Sequence, residues 1–244
     1  MENVEEDGPR GPWEQKWFRA SLVFLVVVCV AATVIVVSSL LSSSGQDDTR
    51  LLEGTEVSQA IEPSESVCGL GGGDQSVPTV EAPATSWELV GRMAAPSDPK
   101  IGPGIVNEGL RSCFSRSPVG ALFATANFYV QGSSSELAFR NAELNIASGV
   151  GRDRILARLK GKRAAVGSAD VSVQIAGFKI FSYTGESATV DIVVRGTNGA
   201  NLSAVTQLVW ERNDWKIVVQ DNGQPAIPQK SLPSVGDYIP WSGA

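Results

Sequence analysis

An uncharged apolar segment, residues 20–41, constrains this chain more than any other feature of its sequence. It holds 22 residues, of which eight are valine. A bilayer core about 30 Å thick is crossed by roughly 20 apolar residues in a helix. In lipid every backbone N–H and C=O must pair within the protein, and a helix achieves this within one segment. The segment therefore predicts a single transmembrane helix.

The charges that flank this segment predict its orientation. Lys16 and Arg19 precede it, whereas Asp47 and Asp48 are the first charged residues after it. Because basic residues accumulate on the cytoplasmic side, we predict a cytoplasmic tail over residues 1–19. The rest of the protein would then lie outside a cell membrane that the chain crosses once. A cleaved signal peptide is the alternative, although its apolar region is usually only about 7–15 residues long.

The composition separates a linker from a folded domain. Residues 42–86 are rich in Ser, Gly and Pro. They contain eight acidic residues and one basic residue, Arg50. From residue 87 onward the chain has 16 basic and 13 acidic side chains. We predict an acidic linker over 42–86, an extracytoplasmic domain over 87–223 and a Pro-rich extended tail over 224–244.

The lack of certain residues limits the chemistry. The chain contains no histidine, which excludes Ser-His-Asp and Cys-His catalysis and removes the commonest metal ligand. The sequence has no GxxxxGK(S/T) phosphate loop, and no pair of strand carboxylates is placed for acid–base work. We therefore predict that the protein is not an enzyme, and we predict no cofactor, metal site or catalytic site.

Two of the three cysteines fall on the predicted outer side. Cys29 lies inside the apolar segment, whereas Cys68 and Cys113 follow it. Outside the cytoplasm two cysteines are typical of one disulfide. Two free thiols are the alternative, since sequence alone does not place the Cα atoms within bonding distance.

The hydrophobic period changes from helical to alternating near residue 170. Ser117 and Pro118 form a helix start, with a capping hydroxyl and a proline at the first helical position. Helices are predicted over 118–132, about 135–147 and 152–165. Alternating strands follow at 169–183, 187–196, 201–212 and 214–221. The predicted fold class is α+β: after the transmembrane helix, helices pack on a curved four-stranded antiparallel sheet.

The third helix is strongly basic, and we predict a candidate interaction surface there and on the aromatic tail. Its members are Arg152, Arg154, Arg158, Lys160, Lys162, Arg163, Tyr238 and Trp241. For the helix, the alternative is a solvated face or a partner for the acidic linker. For the tail, the alternative to contact with a neighbour is docking across the domain. Anionic lipid headgroups would also suit these cations. Contact with nucleic acid is disfavoured because no aromatic platform accompanies the charges.

Five strand aromatics are candidates to line a pocket on the concave face of the predicted sheet. They are Phe178, Phe181, Tyr183, Trp210 and Trp215. The alternative is that they are core residues, because a sheet buries one face at period two. The alternation also allows the strand acids Asp191 and Glu211 to face solvent.

The order of helices before four strands, ending in WERNDWKIVV, resembles the nuclear-transport-factor-like (cystatin-like) fold. The resemblance covers about residues 118–221. It implies a cone of curved sheet wrapped by helices. A fold does not determine a function.

Four further motifs are CGLGGGDQ, WELVGRMAAPSDPKIGPG, RSCFSRSPVGALFATANFYV and VGDYIPWSGA. Together they resemble a family of uncharacterised actinobacterial membrane-anchored proteins associated with integrative conjugative elements. The resemblance implies that Cys68 and Cys113 pair. By analogy with the scaffold subunits of type IV secretion, it also implies a structural or assembly component of a conjugative transfer apparatus. Its partners would be other subunits and sister copies. The nuclear-transport-factor-like resemblance implies an alternative function, which is binding of a lipid or cell-wall fragment. An isomerase or dehydratase on that fold is disfavoured by the missing histidine and the lack of paired acids.

Overall fold

The computed structural model of the chain describes residues 65–162 and 173–243. The predicted cytoplasmic tail, the predicted transmembrane helix and the first part of the predicted linker lie outside these ranges. Within the two ranges, no helix is long and apolar enough to cross a membrane.

Three helices lie in the described ranges: α1 (Pro118–Gly132), α2 (Ala138–Asn145) and α3 (Val150–Lys162). The predicted start of α1 is confirmed, because the Ser117 hydroxyl accepts a 2.9 Å hydrogen bond from the amide of Gly120. Gly120 also lets this helix approach the preceding loop, since an added Cβ would collide with the carbonyl oxygen of Ser115. Most of α1 is buried, which makes it the central helix of the domain.

Ten strands in the described ranges form three antiparallel sheets. Hairpins are formed by β1 with β2 and by β3 with β4, while the other six strands form one sheet ordered β10-β5-β6-β7-β8, with β9 also paired to β7. The strands are β1 (Ser86–Val90), β2 (Met93–Ser97), β3 (Ile105–Asn107), β4 (Leu110–Ser112), β5 (Val173–Tyr183), β6 (Ser187–Gly196), β7 (Asn201–Glu211), β8 (Asp214–Ile217), β9 (Lys230–Leu232) and β10 (Ile239–Pro240).

The predicted fold class is therefore wrong. Instead of helices on a four-stranded sheet, the described chain has ten strands and three helices, with a six-stranded sheet and two further hairpins. The extra strands come from segments rich in Pro and Gly that read as extended chain. Proline cannot donate to a ladder, but it is tolerated at a sheet edge. Pro240 takes such a position, where β10 pairs with Gly177 and Phe178 at the edge of β5.

The C-terminal tail completes the hydrophobic core. Trp241 is only 4% exposed, and its ring centroid lies 4.9 Å from that of Trp87, 5.6 Å from Phe123 and 5.5 Å from Phe178. Its indole N–H donates a 3.0 Å hydrogen bond to the Thr85 hydroxyl. One tail residue thus joins β1, α1 and β5, and burying so large a side chain is a major contribution to the core.

A buried carboxylate joins the two halves of the domain. Asp214 is 2% exposed and accepts hydrogen bonds from the amides of Cys113, Phe114 and Trp215 at 3.1, 3.0 and 2.9 Å. The ammonium group of Lys216 donates to it at 3.0 Å. Cys113 lies 101 residues earlier in the chain. The pair is stable in the interior because its members satisfy each other and the carboxylate takes three further amides.

We predict that Asp214→Asn lowers the free energy of unfolding by about 3–5 kcal/mol, because it leaves the Lys216 ammonium buried without its counter-charge. Urea unfolding of the full chain, followed by tryptophan fluorescence, measures this change. The matched control is Asp221→Asn, whose side chain is exposed and whose loss should change stability by less than about 0.5 kcal/mol. Equal stabilities for the two variants would contradict the role of Asp214.

Candidate functional site

A pocket opens where the edge of β7 lacks a partner strand. Along that edge β8 pairs with residues 208–211 and β9 pairs with residues 201–203. Between these pairings residues 218–229 leave the sheet, and we call this segment the excursion. Its first residue still bonds to β7, because the Val218 amide donates to the carbonyl oxygen of Gln207. The excursion leaves space between the sheet edge and the three helices, and that space is a cavity of about 350 Å³.

Apolar side chains form most of the wall. They come from α1, α2, α3, the strands and the excursion: Phe128, Ala138, Ala142, Ile146, Ile155, Leu159, Val205, Ile217, Val218, Val219, Pro225 and Ala226. Ala142 and Ile146 are buried at its base, whereas Gln224 and Arg158 are exposed at its mouth. None of the lining residues is a carboxylate, a lysine or a cysteine. The described wall therefore offers van der Waals contact and a few polar groups.

Tyr129 and Thr206 are the polar pair on the inner wall. Their hydroxyl oxygens lie 2.9 Å apart, and Thr206 is buried. Burial raises the pKa of Tyr129, so the phenol is neutral at physiological pH. The amide group of Asn141 is used within the fold, since it donates to the carbonyl oxygen of Phe128 at 2.9 Å.

Arg158 stands at the mouth of the pocket. Its exposed guanidinium packs against the turn at Gly223, where an added Cβ would lie 3.4 Å from Nη2. The same Nη2 donates to the carbonyl oxygen of Asn222 over 3.4 Å, which is long for a hydrogen bond. A guanidinium carries five N–H donors, and this contact uses one of them. Within the described chain Arg158 is in no ion pair.

A second cavity of about 270 Å³ lies beside the start of α1. Two carboxylates border it, and one oxygen of each already accepts backbone amides. Asp98 accepts from Lys100 and Ile101 at 2.8 and 3.1 Å, and Asp74 accepts from Ser76 at 2.8 Å. These carboxylates stabilise turns. In the described ranges, no three His, Cys, Asp or Glu side chains are grouped to hold a metal ion.

The predicted disulfide is confirmed. Cys68 and Cys113 are bonded, with Cα atoms 6.2 Å apart. The bond fastens residues 65–70 to the domain, where the Val67 amide also donates to the carbonyl oxygen of Asn213 at 2.8 Å. In the chain-entropy account, closing a loop with a sequence separation of 45 stabilises the fold by roughly 4 kcal/mol.

The structure divides the predicted interaction surface. Arg154 and Lys160 are exposed on α3, and the Lys160 ammonium lies 5.7 Å from the centre of the Phe139 ring. Arg152 is half-buried, and Arg158 belongs to the pocket mouth. The side chain of Lys162 and the whole of Arg163 lie outside the described part of the chain.

The aromatic members of that surface are engaged inside the domain. Trp241 is in the core, so it does not belong to an exposed surface, contrary to the prediction. Tyr238 donates a 2.7 Å hydrogen bond to Asp191, which also accepts from Ser203 at 2.8 Å. Asp191 is consequently 2% exposed, whereas alternation alone allowed it to face solvent. The Lys179 ammonium lies 4.7 Å from the centre of the Tyr238 ring.

The five aromatics that were candidates to line a pocket lie elsewhere. Phe178 and Trp215 are core residues, and Phe181 is 57% exposed. Trp210 and Tyr183 pack on Trp215, with ring centroids 5.2 and 5.8 Å away. The pocket instead uses α1–α3 and the excursion after β8. Sequence reasoning missed it, because a gap in strand pairing leaves no periodic signal.

We predict that Ala142→Leu fills part of the pocket without harming the fold. Ala142 is 4% exposed and lines the cavity, so the added carbons enter empty space, and filling a cavity commonly adds about 0.5–2 kcal/mol. Thermal unfolding measures the change, with the exposed Ala157→Leu on α3 as the control. A loss above about 1 kcal/mol would mean that the added carbons overpack a filled site.

Comparison with known proteins identifies the family. A family model described as a domain of unknown function, DUF8175, matches residues 49–240. No curated protein and no solved structure matches the chain. The match spans the disulfide, the pocket and the C-terminal tail up to Pro240. The chain therefore belongs to the DUF8175 family.

Proposed function

We propose that this protein is a membrane-anchored, extracytoplasmic binding module, and that its pocket holds the apolar part of a lipid or cell-wall fragment. The observation that supports this most directly is the mainly apolar cavity of about 350 Å³ between the helices and the edge of β7. Pockets for small molecules usually measure about 300–1,000 Å³ and combine apolar walls with a few polar groups.

The energetics favour an apolar ligand. Each Å² of apolar surface removed from water contributes roughly 25 cal/mol, and the wall residues such as Ile146, Ile155 and Leu159 offer such surface. The buried polar groups of the wall are already engaged: the hydroxyls of Tyr129 and Thr206 pair with each other, and the Asn141 amide bonds within the fold. A ligand that filled the base with polar groups would lose hydration without gaining partners.

The predicted anchor fits this proposal. A domain tethered by residues 20–41 would stay within reach of the bilayer and the cell wall, where lipids and wall fragments are concentrated. The linker over residues 42–86 would set that reach. Tethering raises the effective concentration of the ligand at the pocket without a new contact.

Photo-crosslinking tests the proposal with a defined probe. The full chain is placed in phosphatidylcholine nanodiscs and irradiated with a neutral long-chain alcohol that carries a diazirine on its alkyl chain. Mass spectrometry then locates the label. We expect saturable labelling on the peptides that contain Phe128, Ile146, Leu159 and Val219, which surround the cavity.

The control pair makes the result specific to the pocket. Ala142→Leu should reduce that labelling at least about fivefold, because it occupies the space, whereas Ala157→Leu should label like the wild type. Labelling that is absent, or equal in all three proteins, would contradict the proposed pocket function. A labelled segment far from the cavity would also count against it.

Assembly within a conjugative transfer apparatus is a second candidate function, and an exposed strand edge favours it. All three residues of β3 are exposed, including Ile105 and Val106. This strand pairs with β4 on one side, and in the described ranges no strand pairs with its other side. Free apolar strand edges are templates for pairing with another chain. The occupant would be a strand of a partner subunit.

Genetic transfer tests the second candidate. Deleting the gene should reduce conjugative transfer from the natural host, and the wild-type gene should restore it. Val106→Asp should not restore it, because a charge on the free edge opposes strand pairing. The control is Val80→Asp at a residue that is 80% exposed outside β3. Unchanged transfer after deletion would exclude this function.

A further inference from the structure

We infer that the pocket ligand is an anionic amphiphile whose carboxylate or phosphate is bound by Arg158 while its chain occupies the cavity. The inference rests on the proposed pocket function and adds the charge of the ligand to it. It follows from how one cation is placed relative to the apolar wall.

The position of Arg158 is set by its neighbours in the helix. Ile155 and Leu159, three residues before and one after it, both line the cavity, so this face of α3 is turned toward the pocket. Arg158 itself lines the cavity and is exposed. An apolar stem with a charged end at the water boundary is the usual arrangement of a long basic side chain.

The guanidinium has capacity for a ligand. Its long contact with the Asn222 carbonyl oxygen uses one donor, and in the described chain no carboxylate pairs with it. The planar fork of an arginine binds carboxylate and phosphate through two parallel hydrogen bonds. Gly223 leaves room for this, since its missing side chain would point toward Ile155 and Arg158.

The charges around the mouth favour an anion. Arg154 and Lys160 are exposed on the same helix, and the cavity lining contains no carboxylate to oppose them. Asp153 is the acidic side chain in the first turn of α3, and Asp221 lies in the facing turn. Cations within a Debye length of the mouth raise the local concentration of anions.

These features describe a ligand with an apolar chain and one anionic group. A fatty acid or prenyl phosphate taken from solution would fit, and so would an anionic phospholipid taken from the bilayer. The shared chemistry is recognition of an oxyanion at the mouth and of a hydrocarbon chain within. The two sources differ only in whether the ligand is delivered by the membrane.

Three photoreactive probes with the same diazirine alkyl chain test the inference on the full chain in phosphatidylcholine nanodiscs. One is a neutral alcohol, one is a fatty acid, and one is phosphatidic acid incorporated in the disc. The quantity measured is labelling of the cavity peptides in each variant relative to the wild type. Comparing variants with one probe removes differences in how the probes partition into the bilayer.

Arg158→Gln should reduce labelling by an anionic probe roughly 5–10-fold, the usual effect of losing a charged hydrogen-bond partner, and should leave the alcohol unaffected. Arg154→Gln removes an exposed cation outside the lining but keeps the guanidinium of Arg158. As the matched control it should lower labelling by the anionic probes less than about twofold, because only screened attraction is lost. A loss restricted to the fatty acid supports a ligand from solution. A loss restricted to phosphatidic acid supports a ligand from the bilayer.

Failure of this inference differs from failure of the pocket function. If the alcohol labels the cavity and Arg158→Gln changes no anionic probe, the anionic group is excluded while apolar binding stands. Equal losses for Arg158→Gln and Arg154→Gln would overturn the specific role of Arg158 in favour of general attraction. If no probe labels the cavity peptides, both proposals fail.

Discussion

The buried carboxylate of Asp214 ties together two segments that lie about 100 residues apart in the chain. One of its oxygens accepts from the Cys113 amide and the Lys216 ammonium, and the other accepts from the amides of Phe114 and Trp215. Cys113 and Phe114 belong to the segment that precedes α1, and Trp215 and Lys216 belong to β8. Buried charge is costly unless it is paired and fully hydrogen-bonded. The same site also carries the disulfide, because Cys113 is one of its members.

The pocket is a consequence of how β7 is paired. One strand edge is shared by β8 and β9, and the chain between them leaves the sheet at residues 218–229. Backbone groups without a strand partner need water or another group as their partner. An unpaired stretch of β7 is therefore expected to border space that solvent can enter. Helix α3 covers it with Ile155 and Leu159 and places Arg158 at the mouth. The incomplete pairing of β7 thus leaves a cavity that is lined by apolar residues and has a charged residue at its entrance.

The parts of the site that were predictable are local. The basic character of α3 is readable from residue type. The residues also suggested a disulfide between Cys68 and Cys113, although they left two free thiols as an alternative. The position of Arg158 at the pocket mouth is not readable in this way. Arg154 and Lys160 are also cations of α3, and only the packing of the helix shows which of the three lines the cavity. Trp241 shows the same limit. The sequence allowed this tail residue to dock on its own domain or on a neighbour, and only long-range packing against Trp87 places it in the core.

The sequence by itself determined those features of the fold that depend on local chemistry. The Ser117 cap and Pro118 begin α1, and alternation from Val173 onward produces successive antiparallel strands. Tertiary structure alone decided the number of strands in the sheet, the burial of Asp191 and the existence of the pocket. The physical reason is range: caps and alternation act over a few residues, whereas edge strands, buried polar groups and cavities depend on contacts between segments far apart in the chain.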